Sequence, residues 1–264
     1  MYAFKYQKAA SVADAAAALA KGDNVKLLAG GQSLIAAMKL RLAGPSDLID
    51  LSGIKEFAGI RVEKSAITIG AMTRHAEVAR SKEVRARIPA LANLAGEIGD
   101  RMVRNMGTLG GSLAHSDPAA DYPAAVLGLG ATVNTDRRNI AADNFFKGMF
   151  ETALQAGEII VSVSFPVPRR AAYVKFKNQA SRYAIVGVMA AETGSGVRVA
   201  VTGAASCVFR VTEMEKALSA NWSPDAVAGI GVPASNLNSD MHASAEYRAH
   251  LVTVMARRAV EAAK

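Results

Sequence analysis

Two glycine-rich segments contain the residue types that can hold a diphosphate. Residues 29–33 read AGGQS and residues 108–112 read TLGGS, and their first residues are 79 positions apart (108 − 29). Glycine lets the chain turn tightly and approach a ligand closely, so that backbone N–H groups can converge on phosphate oxygens. Ser33 follows the first glycine pair, and Thr108 and Ser112 flank the second, so we expect the two arrangements to be alike. Either segment alone is also compatible with an ordinary turn; only the pair favours a phosphate site.

Motifs for several other chemistries are absent. Neither segment matches the GxxxxGK[ST] loop or the GxGxxG fingerprint, so a Rossmann dinucleotide domain is not expected. No GxSxG nucleophile elbow is present. The single cysteine, Cys207, excludes an internal disulfide, a self-contained thiolate-ligated iron–sulfur cluster and a Cys-based zinc site. The four histidines are scattered, so we predict no protein-bound metal.

The first segment lies between a predicted strand and a predicted helix. Residues 25–28 (VKLL), three of them apolar, are typical of a short strand that runs directly into the glycines. Ser33 is expected to cap a helix over residues 34–42, which the Gly44-Pro45 pair ends. A helix over residues 11–21, capped by Ser11, comes before this unit. The pattern predicts a small α/β layer that positions the first segment.

The second segment lies in a region with neither structural period. Residues 104–121 are polar and rich in glycine, which predicts a long functional loop. A helical stretch from about residue 75 to residue 98, interrupted at Pro89, comes before it. For His75, at the start of that stretch, a helix-surface or capping role is favoured over cofactor chemistry.

The whole chain reads as an α+β protein in two domains. The PVPRR sequence of residues 166–170 is the best linker candidate. We predict an N-terminal domain over residues 1–168, with subdomains of about 1–54 and 55–168, and a C-terminal domain of antiparallel sheet and helices over residues 169–264. Further strands are expected at residues 47–51, 60–62, 66–69, 131–135, 158–165, 173–177, 185–191 and 197–202, and further helices at 123–129, 211–219, 224–229 and 243–263.

Composition limits the classes of function. The 264 residues are 51% hydrophobic and 20% charged, as in an ordinary globular protein. The net charge is +8, but basic and acidic residues are interleaved and aromatic residues make up only 6%, so no nucleic-acid binding is expected. An acidic protein partner is compatible with this charge. No stretch approaches the roughly 18 apolar residues of a membrane span, and no signal peptide is evident, so we predict a cytoplasmic protein without membrane insertion.

Four blocks of the sequence, in this order, carry a resemblance to one protein family. The blocks are residues 27–54 (LLAGGQSLIAAMKLRLAGPSDLIDLSGI), 69–79 (IGAMTRHAEVA), 104–133 (RNMGTLGGSLAHSDPAADYPAAVLGLGATV) and 236–260 (NLNSDMHASAEYRAHLVTVMARRAV). They resemble the FAD-binding medium subunit of molybdenum hydroxylases, a family that includes carbon monoxide dehydrogenase and xanthine dehydrogenase. The resemblance covers nearly the whole chain and implies a vanillyl-alcohol-oxidase (PCMH) type FAD-binding domain in two subdomains, followed by the C-terminal domain.

The resemblance implies an FAD site built from both glycine segments and from residues outside them. Asp121 resembles an acidic residue near the ribose or adenine side of FAD. Ile160 falls where the family places backbone against the flavin ring, and Tyr183 where relatives carry a tyrosine near the isoalloxazine. Gln32 replaces a histidine of many relatives, and Asn178 replaces a lysine of the xanthine dehydrogenase branch. The resemblance therefore does not specify the reduction potential of the flavin. The implied FAD-binding residues are Ala29, Gly30, Gly31, Gln32, Ser33, Leu34, Thr108, Leu109, Gly110, Gly111, Ser112, Asp121, Ile160, Asn178 and Tyr183.

The resemblance also implies partners. A large subunit would hold molybdopterin and a small subunit [2Fe–2S] clusters, in a dimer of heterotrimers. This chain would pass electrons from the clusters through FAD to an external acceptor, which is a quinone, NAD⁺ or dioxygen. The flavin supplies the redox chemistry, so no catalytic side chain is expected. Two alternatives are a self-sufficient FAD-dependent oxidoreductase of the same fold and a structural subunit without FAD. The sequence does not specify the substrate of the complex, the acceptor or FAD retention by the isolated chain.

Overall fold

The computed structural model describes all 264 residues, and its first unit is a three-stranded parallel sheet. The strand order is β1-β3-β2, and Ser11 caps α1 as predicted, its hydroxyl accepting the N–H of Asp14. Helix α2 ends earlier than predicted because Arg41 takes a left-handed conformation with φ of 60°. β1 was not predicted, because its KYQK sequence is exposed throughout and carries no apolar period. The elements are β1 (Lys5–Lys8), α1 (Val12–Leu19), β2 (Val25–Leu28), α2 (Leu34–Lys39) and β3 (Asp47–Asp50).

A five-stranded antiparallel sheet with order β4-β5-β10-β6-β7 forms the second unit, and seven helices accompany it. These elements are β4 (Ile60–Val62), β5 (Ala66–Gly70), α3 (His75–Arg80), α4 (Lys82–Arg87), α5 (Pro89–Glu97), α6 (Arg101–Met106), α7 (Leu109–His115), α8 (Tyr122–Gly128), β6 (Thr132–Thr135), β7 (Asn139–Ala141), α9 (Ala142–Phe145), β8 (Phe146–Gly148), β9 (Glu151–Thr152) and β10 (Ile160–Pro166).

The prediction of a long loop over residues 104–121 is wrong. Helices α6 and α7 occupy most of it, and the side chains of Asp100 and Thr108 accept backbone N–H groups at their N-termini. Leu109 and Leu113 are fully buried and anchor α7. Two glycines in the first turn hide the helical pattern in the sequence, whereas the cap and the buried leucines outweigh their low helix propensity.

The helical stretch from residue 75 to residue 98 consists of three helices rather than one interrupted helix. A break at Ser81 separates α3 from α4, and the Ser81 hydroxyl accepts the N–H of Val84. Pro89 begins α5, a position where its missing N–H costs nothing. Apolar side chains of all three helices, including Val78, Val84 and Leu91, are buried in one core that they share with the five-stranded sheet.

The C-terminal part contains a four-stranded antiparallel sheet with order β11-β12-β13-β14 and two helices. The predicted helix over residues 224–229 is a short 3₁₀ turn, Pro224–Val227. A second such turn is Ala234–Asn236. The remaining elements are β11 (Arg170–Lys177), β12 (Ala184–Thr193), β13 (Gly196–Thr202), β14 (Phe209–Arg210), α10 (Thr212–Ala220) and α11 (Ala245–Ala262).

The C-terminal sheet is buried on both faces. Successive side chains of a strand point to opposite faces, so Met189 and Ala191 of β12 join a core of 33 residues shared with the second unit. Val188 and Ala190 join a second core of 16 residues, which α10 and α11 cover. The sheet is therefore fixed against the second unit by shared apolar packing. None of the helices has both the length and the apolar character needed to cross a bilayer.

Candidate cofactor-binding site

The two glycine segments meet in one cleft of about 530 Å³. Gly30 packs against the backbone of Met106 and Gly107, and a Cβ at this position would overlap the Met106 carbonyl oxygen. A Cβ built on Gly111 would lie 3.4 Å from the Cβ of Ala29. Direct packing thus joins two segments that are far apart in the sequence, and the approach at position 30 requires glycine.

The first segment presents a run of unpaired backbone donors. None of the six N–H groups of residues 29–34 has an acceptor within the chain. Gly31 adopts a left-handed conformation with φ of 73°, a turn that suits amides converging on one anion. Contrary to the prediction, Ser33 makes no capping hydrogen bond to α2, so its hydroxyl also stays unpaired. Backbone N–H groups need acceptors, and this segment therefore fits a ligand that carries several of them.

The second segment does not repeat this arrangement, contrary to the expectation from the sequence. The N–H of Gly110 donates to the carbonyl oxygen of Ala71 at 2.8 Å, and the N–H of Gly111 donates to Thr108 Oγ1 at 3.2 Å. The N–H of Ser112 donates to the Thr108 carbonyl oxygen at 3.1 Å. These three amides are thus already paired with acceptors of Thr108 and Ala71 and are not free to bind a ligand. The Thr108 N–H and the hydroxyl groups of Thr108 and Ser112 are the donors of this segment that have no acceptor in the chain.

All the implied FAD-binding residues line the cleft except Leu109 and Asn178. The Leu109 side chain is fully buried in the larger core. Asn178 lines a neighbouring cavity, and its Oδ1 accepts the N–H groups of Ala180 and Ser181 at 2.9 and 3.0 Å. Asn178 therefore stabilises the turn that leads to Tyr183, and its side chain does not contribute to the cleft wall.

Asp121 is buried and bonded to the C-terminal sheet. The Tyr173 hydroxyl donates to its Oδ1 at 2.5 Å, and Lys175 Nζ lies 2.9 Å from the same oxygen. Burial raises the pKa of Asp121, while the charge of Lys175 and the Tyr173 hydrogen bond oppose that rise. Lys175 also donates to the carbonyl oxygen of Arg182, next to Tyr183. Asp121 and Tyr183 consequently lie at the same end of the cleft.

Tyr183 and Ile160 line the cleft from different sheets, Tyr183 just before β12 and Ile160 at the start of β10. Tyr183 is 48% exposed, lines both the cleft and the neighbouring cavity, and its hydroxyl has no hydrogen bond in the chain. Partial burial, followed by the charges of Asp117 and Asp121, raises the pKa of Tyr183. Ile160 is buried at the start of β10, where the pairing with β6 shifts register. Such an irregularity bends a strand and redirects its backbone.

His75 is a cleft residue that the sequence analysis placed wrongly on a helix surface. It is 4% exposed, lines the cleft, and its Nδ1 is buried without a partner. Burial and, secondarily, the charge of Arg104 lower the pKa of His75 to about 4. A Cβ on Gly107 would lie 2.5 Å from His75 Nε2. The residue just before the second segment therefore packs against a neutral imidazole, and Gly107 is the one sequence signal of that contact.

Glu158 is a second cleft residue that the sequence gave no reason to select. It is 5% exposed and accepts hydrogen bonds from Arg138 Nε at 2.9 Å, from the Gln155 N–H at 2.7 Å and from the Thr135 hydroxyl at 2.8 Å. The hydrogen bond from Arg138 is the main reason that the pKa of Glu158 is lowered to about 2. This carboxylate fixes the turn that leads into β10 and Ile160.

The residues of the cleft fit the FAD that the sequence resemblance implies. The unpaired amides of residues 29–34 suit a diphosphate, which carries many acceptor oxygens. Apolar side chains that can contact ring systems line other parts of the wall. They include Leu27, Leu51, Met72, Ile98 and Ile159.

Comparison with known proteins agrees with this geometry. Residues 2–168 match the family described as FAD binding domain in molybdopterin dehydrogenase. Residues 171–263 match the CO dehydrogenase flavoprotein C-terminal domain. The nicotine 6-hydroxylase medium subunit of Paenarthrobacter nicotinovorans is 36% identical over 98% of this chain and 96% of its own length. The carbon monoxide dehydrogenase medium chain of Hydrogenophaga pseudoflava is also 36% identical, with the same coverage of both chains.

Solved structures give the same result. A chain in the crystal structure of the cyanide-inactivated Cu,Mo-CO dehydrogenase superimposes with a TM-score of 0.89 at 33% identity, covering 99% of this chain and 98% of its own. A chain of quinoline 2-oxidoreductase from Pseudomonas putida 86 gives a TM-score of 0.88 at 28% identity, with 98% and 96% coverage. The fold and both family matches agree over nearly the full length. The chain belongs to the family of FAD-binding medium subunits of the molybdenum hydroxylases.

Proposed function

We propose that this chain is the FAD-carrying electron-transfer subunit of a heterotrimeric molybdenum hydroxylase. It passes electrons from the [2Fe–2S] clusters of a partner subunit through FAD to an external acceptor. The unpaired amides of residues 29–34, packed against the second glycine segment in one cleft, are the observation that carries the proposal. Bound FAD supplies the redox chemistry, and the protein supplies binding and orientation.

The cleft suggests how its residues share the work of binding. The amides of residues 29–34 hold the diphosphate, and Thr108 and Ser112 add donors from the facing segment. Tyr183 borders the isoalloxazine, with the backbone at Ile160 on another wall. Asp121 lies at the Tyr183 end of the cleft, so we place it near the flavin ring rather than near the adenine. We further propose that residues 1–168 form the FAD-binding domain, in subdomains of about 1–54 and 55–168, and residues 169–264 the C-terminal domain.

The proposed partners are a large molybdopterin subunit and a small [2Fe–2S] subunit, in a cytoplasmic dimer of heterotrimers. The similar proteins are named medium subunits or medium chains, which supports an assembly of several chains. One cysteine cannot ligate an iron–sulfur cluster, so the clusters belong on another chain. The net charge of +8 suits an acidic docking partner.

A self-sufficient FAD-dependent oxidoreductase of the same fold is the alternative. Such an enzyme needs a free acid or base beside the flavin. The buried titratable groups of the cleft do not provide one: Asp121 is paired with Lys175, and Glu158 with Arg138. His75, whose pKa is lowered to about 4, is neutral and only weakly basic at neutral pH. Substantial turnover of a small molecule by the purified chain alone would support the alternative.

The FAD site is tested by placing branched side chains in both segments. In Gly31→Val and Gly111→Val, we expect most of the FAD to be lost after reconstitution, measured by absorbance in the visible range against protein concentration. Gly229→Val is the matched control, since nothing lies within 4 Å of that Cβ position. Normal FAD content in both cleft variants would show that the segments do not hold the cofactor.

The assembly is tested separately. Genes for a molybdopterin-type large subunit and a ferredoxin-like small subunit are expected beside this one, and co-expression of the three should yield a single complex in size-exclusion chromatography. A chain that binds FAD but forms no complex with those partners would contradict the electron-transfer proposal while leaving the FAD site intact.

A further inference from the structure

Lys175 on β11 is a buried cation outside the residues selected for FAD binding. Its side chain has no exposed surface. Its ammonium lies 2.9 Å from the Asp121 carboxylate, and donates to the Glu97 carbonyl oxygen at 3.0 Å and to the Arg182 carbonyl oxygen at 2.9 Å. An ammonium has three N–H donors, so each of them has a protein acceptor here.

The three acceptors belong to three separate parts of the fold. Glu97 ends α5, Asp121 immediately precedes α8, and Arg182 lies in the turn between β11 and β12. The Tyr173 hydroxyl also donates to Asp121, so the carboxylate does not depend on the lysine alone. Two parts of this cluster reach the cleft, Asp121 itself and residues 181–183. The contact with Arg182 is the one that leads to Tyr183.

The backbone of that turn needs external support. Arg182 is not a glycine, yet its φ is 63°, in the left-handed region that is unfavourable for residues with a Cβ. Its N–H donates to the Asn178 carbonyl oxygen at 3.0 Å, and its own carbonyl oxygen accepts from Lys175. The conformation is thus held at both peptide groups of the residue.

Tyr183 follows directly and has no support of its own at the ring. Its hydroxyl forms no hydrogen bond, and its side chain is half exposed between the cleft and the neighbouring cavity. The place of the ring is therefore determined by the backbone at residues 182–183. The Tyr183 N–H also donates to Ser181 Oγ, and its carbonyl oxygen accepts the Asn178 N–H, so a displacement of the Arg182 carbonyl group acts on the ring through this turn.

We propose that Lys175 is a positioning residue for the cofactor: by holding the Arg182 carbonyl oxygen against Asp121 and the end of α5, it keeps Tyr183 against the flavin end of the cleft. This inference rests on the proposed FAD site and adds a residue that does not touch the cofactor. Lys175 acts through the backbone of the turn.

The test uses the full chain reconstituted with FAD and measures flavin fluorescence, which a tyrosine in contact with the isoalloxazine quenches. The Lys175→Met, Asp121→Asn double variant removes the cation without leaving a buried charge unpaired. We expect it to lose the quenching that Tyr183→Leu loses. Adding Tyr183→Leu to the double variant should have no further effect, because both changes remove the same contact. Lys177→Met is the matched control: this lysine is exposed on the same strand, and quenching should be unchanged.

The outcomes separate this inference from the proposed function. A folded double variant with the quenching of the unmodified chain would overturn the role of Lys175, and so would a Tyr183→Leu variant that stays quenched. If the double variant does not fold, Lys175→Arg keeps the charge but presents a planar guanidinium in place of a point donor. Unchanged quenching in that variant would equally overturn the inference, and partial loss would support it. Failure of the unmodified chain to bind FAD would instead reject the proposed function.

Discussion

Residues 29–33 and residues 108–112 both place two adjacent glycines near a serine, but they use their backbone amides in different ways. In the first segment the N–H groups have no acceptor in the chain. In the second, the N–H groups of Gly110, Gly111 and Ser112 are bonded within the protein. The first segment therefore has free donors for a ligand, whereas the second forms a packed surface that contacts the first.

The difference follows from what lies beside each segment. Thr108 caps α7 and turns the second glycine pair into the first turn of a helix, whereas Ser33 forms no capping bond. Ala71 approaches Gly110 closely enough to accept its N–H. Glycine therefore leaves backbone donors free for a ligand in residues 29–33, and it allows close packing of the backbone in residues 108–112. Similar glycine motifs do not by themselves indicate the same contact with a ligand.

The largest expected effect is on the pH dependence of stability, and it comes from His75, whose ring packs against Gly107 beside the second segment. The pKa of His75 is about 4 in the folded protein and 6.5 for an ordinary histidine, so between these values the unfolded chain binds more protons. The stabilising contribution is complete above pH 6.5 and is lost as the pH falls towards 4. The shift corresponds to about 3 kcal/mol. Chemical denaturation at pH 7 and at pH 4 should show this loss in the unmodified chain and a smaller loss in His75→Gln, and parallel pH curves would contradict it.

The next effect distinguishes packing from ligand binding. In Gly110→Ala the new Cβ would lie 2.6 Å from the Ala71 Cβ and 2.9 Å from its carbonyl oxygen. Overpacking of this kind costs about 1–3 kcal/mol, so the FAD-free chain should melt at a lower temperature. Gly229→Ala, which meets no neighbour within 4 Å, is the control. Equal melting temperatures for the two variants would mean that the second segment is not packed as described.

The smallest expected effect concerns the hydroxyl groups of the residues that precede α2 and α7, Ser33 and Thr108. Thr108→Ala removes the acceptor of the Gly111 N–H and should lower the unfolding free energy of the FAD-free chain by about 1 kcal/mol. Ser33→Ala removes no internal hydrogen bond, so the stability of the FAD-free chain should be unchanged while its affinity for FAD falls. Denaturation curves and FAD titrations measure both. The reverse pattern, with Ser33→Ala destabilising the FAD-free chain, would remove the proposed contrast.

Much of the fold was predictable because its patterns are local. The strand over residues 25–28, the Ser11 cap and the three long strands of the C-terminal sheet follow from apolar periods and capping residues. β1 was missed because an exposed strand paired on one side has no apolar alternation. Helix α7 was missed because glycine lowers helix propensity, while its stabilising contacts come from distant residues such as Ala71.

The residues that line the candidate site were largely predictable from the sequence, but the buried residues that position them were not. The sequence identified both glycine segments, Asp121 and Tyr183, and the structure brings them into one cleft. It did not reveal the burial of His75 or the contacts of Lys175, because both depend on tertiary packing. Asp121 illustrates the limit: a carboxylate expected near the ribose or adenine side of FAD accepts a hydrogen bond from Tyr173 and pairs with Lys175.

Hydrogen exchange of backbone amides, measured on the chain with and without FAD, tests the central contrast most directly. Amides without an acceptor exchange quickly until a ligand supplies one. We predict that residues 29–34 become protected only when FAD is bound, whereas Gly110, Gly111 and Ser112 are protected in both states. Fast exchange of residues 29–34 in the FAD-loaded chain, or protection gained only by the second segment, would contradict the account.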